Sequence, residues 1–515
     1  MGEWLNLGEI FAVNAMKYPE KVAFMDAGRS YTFPESNKRV NRLAHALINL
    51  GFKKGDKVSC LLENCIEICE LYLACAKTGV IINPINFRVS RDDMVFIADN
   101  ADSKAFFVHD QFKKTVLAAR DNLPKIENYI LVGEPCEGYT SYEDFIAVQP
   151  DDEPGTSVAP EDIWILLYTS GTTGRPKGVM RSHKSYIAFY LINGADFRYS
   201  ASEVVLTAMP LCHVNTTFFS FAATYFGGAN YIHPASGFDA HEILKIVEAR
   251  KITFISLIPT HYNLILAVPE DVRSGIDVSS IEKLLCSSAP ARIDQKKGII
   301  NYFDGVELYE GYGSTEAGIV TTLMPADQLT HPGSIGQESS GTHMVKILDE
   351  NDREAGVDQV GELYSAGPMM FDSYYKMPDE TARSFKGKYF SAGDMAYRDK
   401  DGYLFLVDRK KNMIITGGEH VFPSEVEALI SRHSSVFDVA VAGLPDPKWT
   451  EAVTAFVILK EGKLATEDDI KDHCKDKLAR FKIPKKVIFI TPDEMPRTGT
   501  GKILHRVLKE KYGNK

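Results

Sequence analysis

Between Lys21 and about Gly133, short apolar runs alternate with amphipathic helix patterns, and this alternation restricts the fold more than any other feature of the chain. Four runs favour strands, namely "KVSCLL", "GVIINPI", "KAFFVH" and "NYILVG". Helix patterns accompany them at 33–50, 64–78, 89–99 and 111–122, the first with a capping box at Thr32 and Glu35. Strands that are connected by helices usually form a mostly parallel sheet with helices on both faces. We therefore expect an α/β fold.

The pattern continues beyond residue 200 and then changes. Further strands are predicted at "ASEVVLTAMP", "GGANYIHP", "KITFISLIP" and "IEKLLCSSAP", with a helix at 239–250. Between 332 and 408 short strands dominate, which predicts a β-rich subdomain, and after Asp408 helices at 423–433, 466–479 and 502–511 alternate with strands. We expect a large N-terminal domain of doubly wound, mostly parallel sheets at 1–408 and a small α+β domain at 409–515.

Composition excludes several classes of protein. The 515 residues exceed one hydrophobic core, and 44% hydrophobic with 25% charged residues is typical of a globular enzyme. A formal net charge of -11 disfavours a nucleic-acid partner. The eight scattered cysteines form no C-x-x-C pair, so we expect a reducing, cytoplasmic location, with Cys65 and Cys69 as packing residues. No signal peptide is predicted at the N-terminus, and the charge-free stretch Val204–Phe238 is too polar for a membrane span.

The stretch "YTSGTTGRPKGV", residues 168–179, directly follows the apolar run "IWILL". Such a loop leaves backbone N–H groups free, and together with its hydroxyl groups they can hold phosphate oxygens, with Lys177 as a nearby cation. A plain linker loop is the structural alternative. The loop matches neither G-x-x-x-x-G-K-[ST] nor G-x-G-x-x-G, so it predicts a phosphate loop of another kind.

This stretch resembles the phosphate-loop signature of the adenylate-forming superfamily, which comprises acyl-CoA synthetases, adenylation domains of peptide synthetases and beetle luciferases. Further motifs follow in the order typical of that family: "ELYEGYGSTEAG" at 307–318, "GEL" at 361–363, "YFSAGD" at 389–394, "DRKKNMIITGGEHVFPSEVE" at 408–427 and "PRTGTGKILHR" at 496–506. The resemblance covers nearly the whole chain. It implies that a carboxylate attacks the α-phosphate of ATP to give acyl-AMP and pyrophosphate, and that a thiol then displaces AMP. ATP, Mg²⁺ and coenzyme A are the implied cofactors.

The resemblance also assigns site residues. The β- and γ-phosphates would lie against Thr169, Ser170, Gly171, Thr172, Thr173, Gly174 and Lys177. Nucleotide contacts would come from Gly311, Tyr312 stacked on adenine, Gly313, Thr315 near the α-phosphate, Asp394 on the ribose hydroxyls and Arg409 on ribose or phosphate. Glu316 would bind Mg²⁺, and Lys502 would bridge the carboxylate and the α-phosphate. Core packing for Tyr312, a capping or surface carboxylate for Glu316 and a basic tail for Lys502 are the structural alternatives.

The resemblance implies two arrangements of one site, because the small C-terminal domain of the family is mobile and rotates after adenylation. Lys411 matches the hinge position. Gly417 and Gly418 would line the pantetheine tunnel, where close approach requires glycine.

The acyl pocket is expected at Met209–Phe221, at Ser288, Ala289 and Pro290, and beside Gly311. No residue of Val204–Phe238 carries a formal charge, which favours an uncharged acyl group. His213 matches a gate between carboxylate and tunnel, and a buried structural histidine is the alternative. Similarity leans toward the branch of medium-chain fatty acid and crotonobetaine/carnitine CoA ligases. Short- or medium-chain fatty, alicyclic, aromatic and carnitine-like acids all stay open.

Three functions compete on the same motifs. An AMP-forming acyl-CoA ligase agrees with the full motif set. An acyl-AMP ligase that loads a carrier protein, and a non-catalytic protein that binds nucleotides or acyl groups, are the alternatives. The partners expected are a small carboxylic acid, ATP and CoA; a homodimer and the physiological direction of the reaction are left open.

Overall fold

The computed structural model describes residues 5–169, 175–235, 237–288, 291–497 and 503–513. The chain divides into two compact units: unit 1 comprises Met1–Val345 and Ser365–Phe390, and unit 2 comprises Lys346–Tyr364 and Ser391–Lys515. Unit 2 thus begins earlier along the chain than the predicted C-terminal domain and includes strands of the predicted β-rich subdomain. A rotating domain at 409–515 stays a prediction.

Helices and strands of unit 1 alternate along most of the chain. Its helices are α1 Leu7–Lys17, α2 Phe33–Asn49, α3 Ile66–Thr78, α4 Arg91–Asn100, α5 Lys113–Leu117, α6 Tyr142–Ala147, α7 His183–Asp196, α8 Val214–Tyr225, α9 Ala240–Arg250, α10 Pro259–Ala267, α11 Glu270–Arg273, α12 Ile293–Tyr302 and α13 Pro378–Arg383. Its strands are β1 Val22–Met25, β2 Ser30–Thr32, β3 Lys57–Leu61, β4 Ile81–Pro84, β5 Ser103–His109, β6 Asn128–Val132, β7 Thr140–Ser141, β8 Ile163–Thr169, β9 Lys177–Ser182, β10 Val204–Thr207, β11 Ala229–Ile232, β12 Phe254–Leu257, β13 Lys283–Ser287, β14 Glu307–Ser314, β15 Gly318–Leu323, β16 Gln337–Glu338, β19 Ser373–Tyr374, β20 Phe385–Lys386 and β21 Tyr389–Phe390.

Unit 2 contains the remaining elements. Its strands are β17 Lys346–Leu348, β18 Gly361–Tyr364, β22 Asp394–Arg398, β23 Leu404–Arg409, β24 Ile414–Thr416, β25 Glu419–Val421, β26 Val436–Asp446, β27 Thr450–Leu459 and β28 Lys486–Phe489. Its helices are α14 Pro423–Ile430, α15 Glu467–Cys474 and α16 His505–Tyr512.

Unit 1 is built on two large sheets. One has the order β19-β9-β8-β4-β3-β5-β6-β7, in which β8 and the strands from β4 to β7 are parallel and β9 is antiparallel. The other has the order β16-β15-β14-β13-β12-β10-β11-β1-β2 and is parallel from β14 to β1. The predicted doubly wound, mostly parallel α/β fold is therefore confirmed.

Helix α3 shows how sequence determines position in unit 1. All of its residues are buried, the apolar side chains within the hydrophobic core and the ionisable side chains Glu67, Glu70 and Lys77 in ion pairs. Cys69 and Cys75 pack in this core, and burial raises the pKa of the Cys69 thiol. The predicted capping box of the neighbouring helix α2, Thr32 with Glu35, is confirmed.

The helix predicted at 111–122 is wrong as a continuous element. The segment divides into a 3₁₀ turn at Asp110–Phe112, α5 and a second 3₁₀ turn at Arg120–Asn122. Its buried side chains Val116 and Ala119 are three residues apart, a spacing that 3₁₀ turns satisfy as well as an α-helix does.

Unit 2 combines two smaller sheets. The first is antiparallel with the order β17-β18-β22-β23, and the second has the order β25-β24-β27-β26, with β28 parallel to β27. Helices α14 and α15 pack on the second sheet around Val426, Ile470 and Val453. The β-rich and α+β patterns predicted after residue 332 are confirmed for these described residues. None of the helices in the described ranges is long and apolar enough to span a membrane.

Candidate active site

Several predicted site residues of unit 1 follow the carboxyl ends of parallel strands. β13 ends at Ser287 and is followed by Ser288, while the loop after β10 leads to His213, which caps α8. The Asn215 side chain joins these two places, because its Nδ2 donates to Ser287 Oγ at 2.5 Å and to Ser288 Oγ at 3.3 Å. Ligands of open α/β sheets bind at such carboxyl ends.

The predicted phosphate loop connects β8 to β9. Thr169 and Lys177 are paired across the two antiparallel strands, whereas the predicted residues Ser170, Gly171, Thr172, Thr173 and Gly174 lie outside the described residues. Lys177 has a side chain only 8% exposed and forms an ion pair with Glu380 of α13. Its Nζ also lies 5.2 Å from the ring centroid of Tyr374. The hydrogen bond from Lys177 lowers the pKa of the Glu380 carboxyl.

Glu316 occupies the tight turn between β14 and β15. The turn requires two glycines: a Cβ on Gly313 would lie 2.0 Å from the carbonyl oxygen of Gly318, and Gly318 itself has a φ of +76°. Glu316 Oε1 accepts a hydrogen bond of 2.9 Å from the Tyr374 hydroxyl, whose pKa is raised by burial and then by this carboxylate. Tyr374 thus contacts both Lys177 and Glu316, the residues predicted for phosphate and Mg²⁺.

The Glu316 carboxylate is a hard oxygen ligand, which suits Mg²⁺. Within the described ranges, no three His, Cys, Asp or Glu side chains gather as a metal site. Mg²⁺ that is shared between a carboxylate and substrate phosphates needs only one or two protein ligands. The residues present are therefore compatible with Mg²⁺ that enters together with ATP.

Arg181 was not predicted from the sequence. It is fully buried on β9, and its Nη1 donates to the carbonyl oxygens of Thr315 at 2.6 Å and Glu316 at 3.4 Å. Its Nη2 donates to the carbonyl oxygen of Met369, and the guanidinium lies 4.9 Å from the ring centroid of Phe218. Burial lowers the pKa of this arginine. Arg181 therefore fixes the backbone of the predicted residues Thr315 and Glu316. A lone arginine two residues after the loop gave no signal for such a role.

Three predicted nucleotide residues, Gly311, Tyr312 and Gly313, lie on β14. Tyr312 is partly exposed and faces Thr321 of β15, so it is not a fully buried core residue. Gly311 pairs with Ser287 of β13, and a Cβ at Gly311 would lie 3.3 Å from Ile319 Cδ1. Ser288, next to this pair, has a φ of +68°, which is strained for a residue other than glycine. Ala289 and Pro290 lie outside the described residues.

The predicted acyl stretch contains the aromatic residues Phe218 and Phe221, and both lie in the hydrophobic core. Phe218 stacks on Phe189 with 3.8 Å between ring centroids, and Phe221 packs edge-on against Tyr72. The aromatic side chains of this stretch therefore serve as core packing. The polar side of the stretch is the start of α8, where Asn215 Oδ1 accepts from Ser256 Oγ at 3.1 Å.

His213 lies at this polar start of α8. It is partly exposed, and its Nε2 is 3.2 Å from the amide nitrogen of Asn86. A partly exposed, hydrogen-bonded ring is compatible with the gate and less so with the alternative of a buried structural histidine.

In unit 2, Asp394 and Arg409 face each other across the β22–β23 hairpin. Arg409 Nε forms an ion pair with Asp394 Oδ1, and its Nη1 donates to the carbonyl oxygen of Ala392 at 3.2 Å. The Asp394 side chain is 8% exposed. The structure therefore brings these two predicted residues together.

Lys411 lies in the 3₁₀ turn Lys410–Asn412 that follows β23. Asp408 contacts both this turn and the start of α14: its Oδ1 accepts from Asn412 Nδ2 at 3.0 Å and its Oδ2 from the backbone N–H of Ser424 at 2.9 Å. The side chain of Asp408 thus determines how the chain leaves the hairpin and enters α14.

Gly417 and Gly418 connect β24 to β25 as a two-residue turn. Both have positive φ, +60° and +87°. A turn with two positive φ angles favours glycine whatever approaches it, so close approach is not the sole reason for glycine here. Lys502 lies outside the described residues.

Comparisons with known proteins agree with this geometry. The family described as AMP-binding enzyme matches residues 11–375, and the AMP-binding enzyme C-terminal domain matches residues 425–502. The long-chain-fatty-acid–CoA ligase FadD13 of Mycobacterium tuberculosis is 31% identical, with 98% of each chain covered, and the feruloyl-CoA synthase of an Amycolatopsis species is 32% identical, with 96% of each covered.

A third relative differs in its acceptor. The fatty acid–[acyl-carrier-protein] ligase ScoC of Streptomyces coeruleorubidus is 28% identical, covering 97% of this chain and 95% of its own. Among solved structures, the anthranilate CoA ligase AuaEII in complex with anthranoyl-AMP has a TM-score of 0.89 at 27% identity, with 99% of this chain and 98% of that chain covered. The predicted resemblance is confirmed, and the chain belongs to the adenylate-forming family of AMP-binding enzymes.

Proposed function

We propose that the protein is an AMP-forming acyl-CoA ligase, an acid–thiol ligase that uses ATP, Mg²⁺ and coenzyme A. A carboxylate oxygen attacks the α-phosphorus of ATP, pyrophosphate leaves, and acyl-AMP forms. The CoA thiol then attacks the acyl carbon, AMP leaves with the electron pair of the broken C–O bond, and the thiol proton passes to solvent. The contact of Tyr374 with both Lys177 and Glu316 is the observation that supports this function most directly.

The residues present supply charge where the substrates are most negative. Lys177 neutralises the β- or γ-phosphate, and Mg²⁺ held at Glu316 supplies further charge stabilisation when it is bound. Asp394 can accept hydrogen bonds from both ribose hydroxyls, since one carboxylate has two oxygens. Lys502 is the residue proposed to act at the carboxylate and α-phosphate during adenylation. Lys411 is the proposed hinge.

We propose an uncharged acyl group. No residue of Val204–Phe238 carries a formal charge, and polar groups are offered by the Asn215 amide at the start of α8 and the Ser256 hydroxyl on β12. A carnitine-like acid has less support than a fatty, alicyclic or aromatic acid, because Phe218 and Phe221 pack in the core and cannot also surround a quaternary ammonium group. The branch of medium-chain fatty acid ligases stays a proposal.

The test is pyrophosphate release with MgATP across a panel of carboxylic acids, with and without CoA. Release with one class of acid, with continuing turnover only when CoA is present, supports the ligase and identifies the acyl class. Release that stops at one equivalent even with CoA would indicate a carrier-protein acceptor, as in the relative ScoC. No release with any acid of the panel, despite nucleotide binding, would contradict the ligase and favour a non-catalytic binding protein.

The Lys502→Ala variant tests the proposed division of roles. It should lose acid-dependent pyrophosphate release and still convert supplied acyl-AMP and CoA into thioester, because only adenylation needs that charge. Equal loss of both steps would contradict an adenylation-specific lysine.

A further inference from the structure

Glu380 brings a carboxylate to the cation that is proposed to bind phosphate. It lies on α13 and forms the ion pair with Lys177 across 203 residues of sequence. The pair is largely sheltered from water, since the side chains of Lys177 and Glu380 are 8% and 23% exposed. The site thus already contains a negative group where the resemblance expects a phosphate oxygen.

The position of Glu380 is determined by the local fold. Pro378 is the first residue of α13. Thr381 of this helix forms two hydrogen bonds: its Oγ1 accepts from the backbone N–H of Tyr374 on β19 at 3.0 Å and donates to the carbonyl oxygen of Met377 at 3.0 Å. The same Thr381 contact therefore holds Tyr374 beside Lys177. The link between α13 and β19 therefore positions both Glu380 and Tyr374.

Glu380 also has a second cation. Arg383 Nη2 lies 3.1 Å from Glu380 Oε2, and its side chain is 74% exposed. If Lys177 left Glu380, the carboxylate would keep this partner and would not be stranded without a counter-ion. The exchange of Lys177 from a carboxylate to a phosphate therefore needs no unpaired buried charge at either end.

We propose that Glu380 is a positioning residue of the nucleotide site: an internal counter-ion that Lys177 exchanges for the β- or γ-phosphate of ATP. The proposal rests on the proposed function, because it takes Lys177 as the phosphate-binding cation. Glu380 competes with polyphosphates for Lys177, so it weakens the binding of MgATP and of the product pyrophosphate. AMP has neither a β- nor a γ-phosphate, and its binding is independent of Glu380.

The experiment compares Glu380→Gln with Asp379→Asn. Both changes convert a carboxylate of the first turn of α13 into an amide, but Asp379 is exposed. Binding of MgATP, magnesium pyrophosphate and AMP to the full-length protein is measured by calorimetry. Glu380→Gln should bind MgATP and pyrophosphate roughly fivefold more tightly and AMP unchanged. Asp379→Asn should bind all three as the wild type does.

A merely structural role gives a different pattern. Weaker or unchanged binding of MgATP in Glu380→Gln, or an equal change for all three ligands, would overturn the proposal. A double variant tests whether Glu380 acts through Lys177. In a Lys177→Met background, Glu380→Gln should have no effect on MgATP binding. A remaining fivefold gain would exclude action through Lys177. A wild-type protein that binds neither MgATP nor pyrophosphate overturns both proposals, whereas wild-type binding without acid-dependent pyrophosphate release contradicts the ligase alone.

Discussion

The two ends of strand β9 carry two buried cations that differ in their partners. Lys177 at the start and Arg181 near the end are four residues apart and project from the same face of the strand. Arg181 donates to carbonyl oxygens of the backbone, whereas Lys177 is paired with the side chain of Glu380. Backbone carbonyls cannot leave without unfolding their segments. A side-chain carboxylate can rotate away, so one end of β9 is suited to holding structure and the other to exchanging ligands.

Arg181→Met should have the largest effect on stability. The change leaves the carbonyl oxygens of Thr315 and Met369 buried without a donor, which should lower the free energy of unfolding by about 3 kcal/mol. Urea unfolding of the variant and of Arg175→Met, an exposed arginine of the same segment, measures this. Equal stability of Arg181→Met and wild type would remove the difference between the two ends of β9.

Lys177→Ala should affect catalysis rather than stability. Loss of the cation that is proposed to bind phosphate should lower kcat/KM for ATP roughly 100-fold. The free energy of unfolding should fall by no more than about 1 kcal/mol, because Glu380 keeps Arg383 as a partner. Steady-state kinetics and urea unfolding are measured on the same preparation. A loss of stability as large as that of Arg181→Met would mean that Lys177 belongs to the scaffold.

Lowering the pH should reduce the folding stability of the protein through His183, which lies next to the Arg181 end of β9. His183 follows the strand, is fully buried, and accepts a hydrogen bond of 3.3 Å from the backbone N–H of Leu7. Burial lowers its pKa to about 3, below the usual 6.5. The unfolded chain therefore takes up a proton as the pH falls below about 6.5, and the folded protein does not, so stability is lost on acidification by about 1.4 kcal/mol per pH unit.

His183→Gln tests this contribution. Between pH 7 and pH 5 the wild type should lose about 2 kcal/mol more stability than the variant. Unfolding free energies are measured at both pH values, so that any constant effect of the substitution cancels in the difference. Parallel pH profiles would show that His183 is not neutral in the folded protein. Burial also lowers the pKa of His261, to about 4, and this contribution is common to both proteins.

Tyr374→Phe should have the smallest effect. It removes the hydroxyl that donates to Glu316 and keeps the ring beside Lys177. The KM for MgATP should rise roughly threefold, as expected for loss of one hydrogen bond of about 0.7 kcal/mol. Tyr375→Phe is the matched control, because its hydroxyl donates to Asp102 at 2.7 Å instead. An equal rise in both variants would show that the Tyr374 hydroxyl does not act through Glu316, the carboxylate proposed to bind Mg²⁺.

The parts of the fold that were predicted depend on local pattern. Alternating apolar runs predicted the parallel strands, and Thr32 with Glu35 predicted the start of α2, since both signals lie within a few residues. The segment 111–122 was predicted wrongly because a short buried face does not distinguish an α-helix from 3₁₀ turns.

The site residues likewise divide into those that a local motif predicted and those that it did not. The motifs identified the family, and with it Lys177 and Glu316, but not the residues that hold them. Arg181 and Glu380 find partners 134 and 203 residues away, and no local pattern encodes such pairs. The roles of all the site residues stay predictions, and Ser170 to Gly174, Ala289, Pro290 and Lys502 also lie outside the described ranges.

During synthesis, strand β9 is made long before its neighbour β19, so the pairing of these two strands must wait for the later segment. The segment that supplies Met369 to Arg181 and Glu380 to Lys177 follows those residues by 188 and 203 positions. A ribosome that adds about 5–20 residues per second needs roughly 10–40 s to cover that distance. Throughout this interval the edge of β9 lacks its neighbouring strand and two cations lack these partners, so this strand of a newly made chain is exposed to aggregation and to proteases.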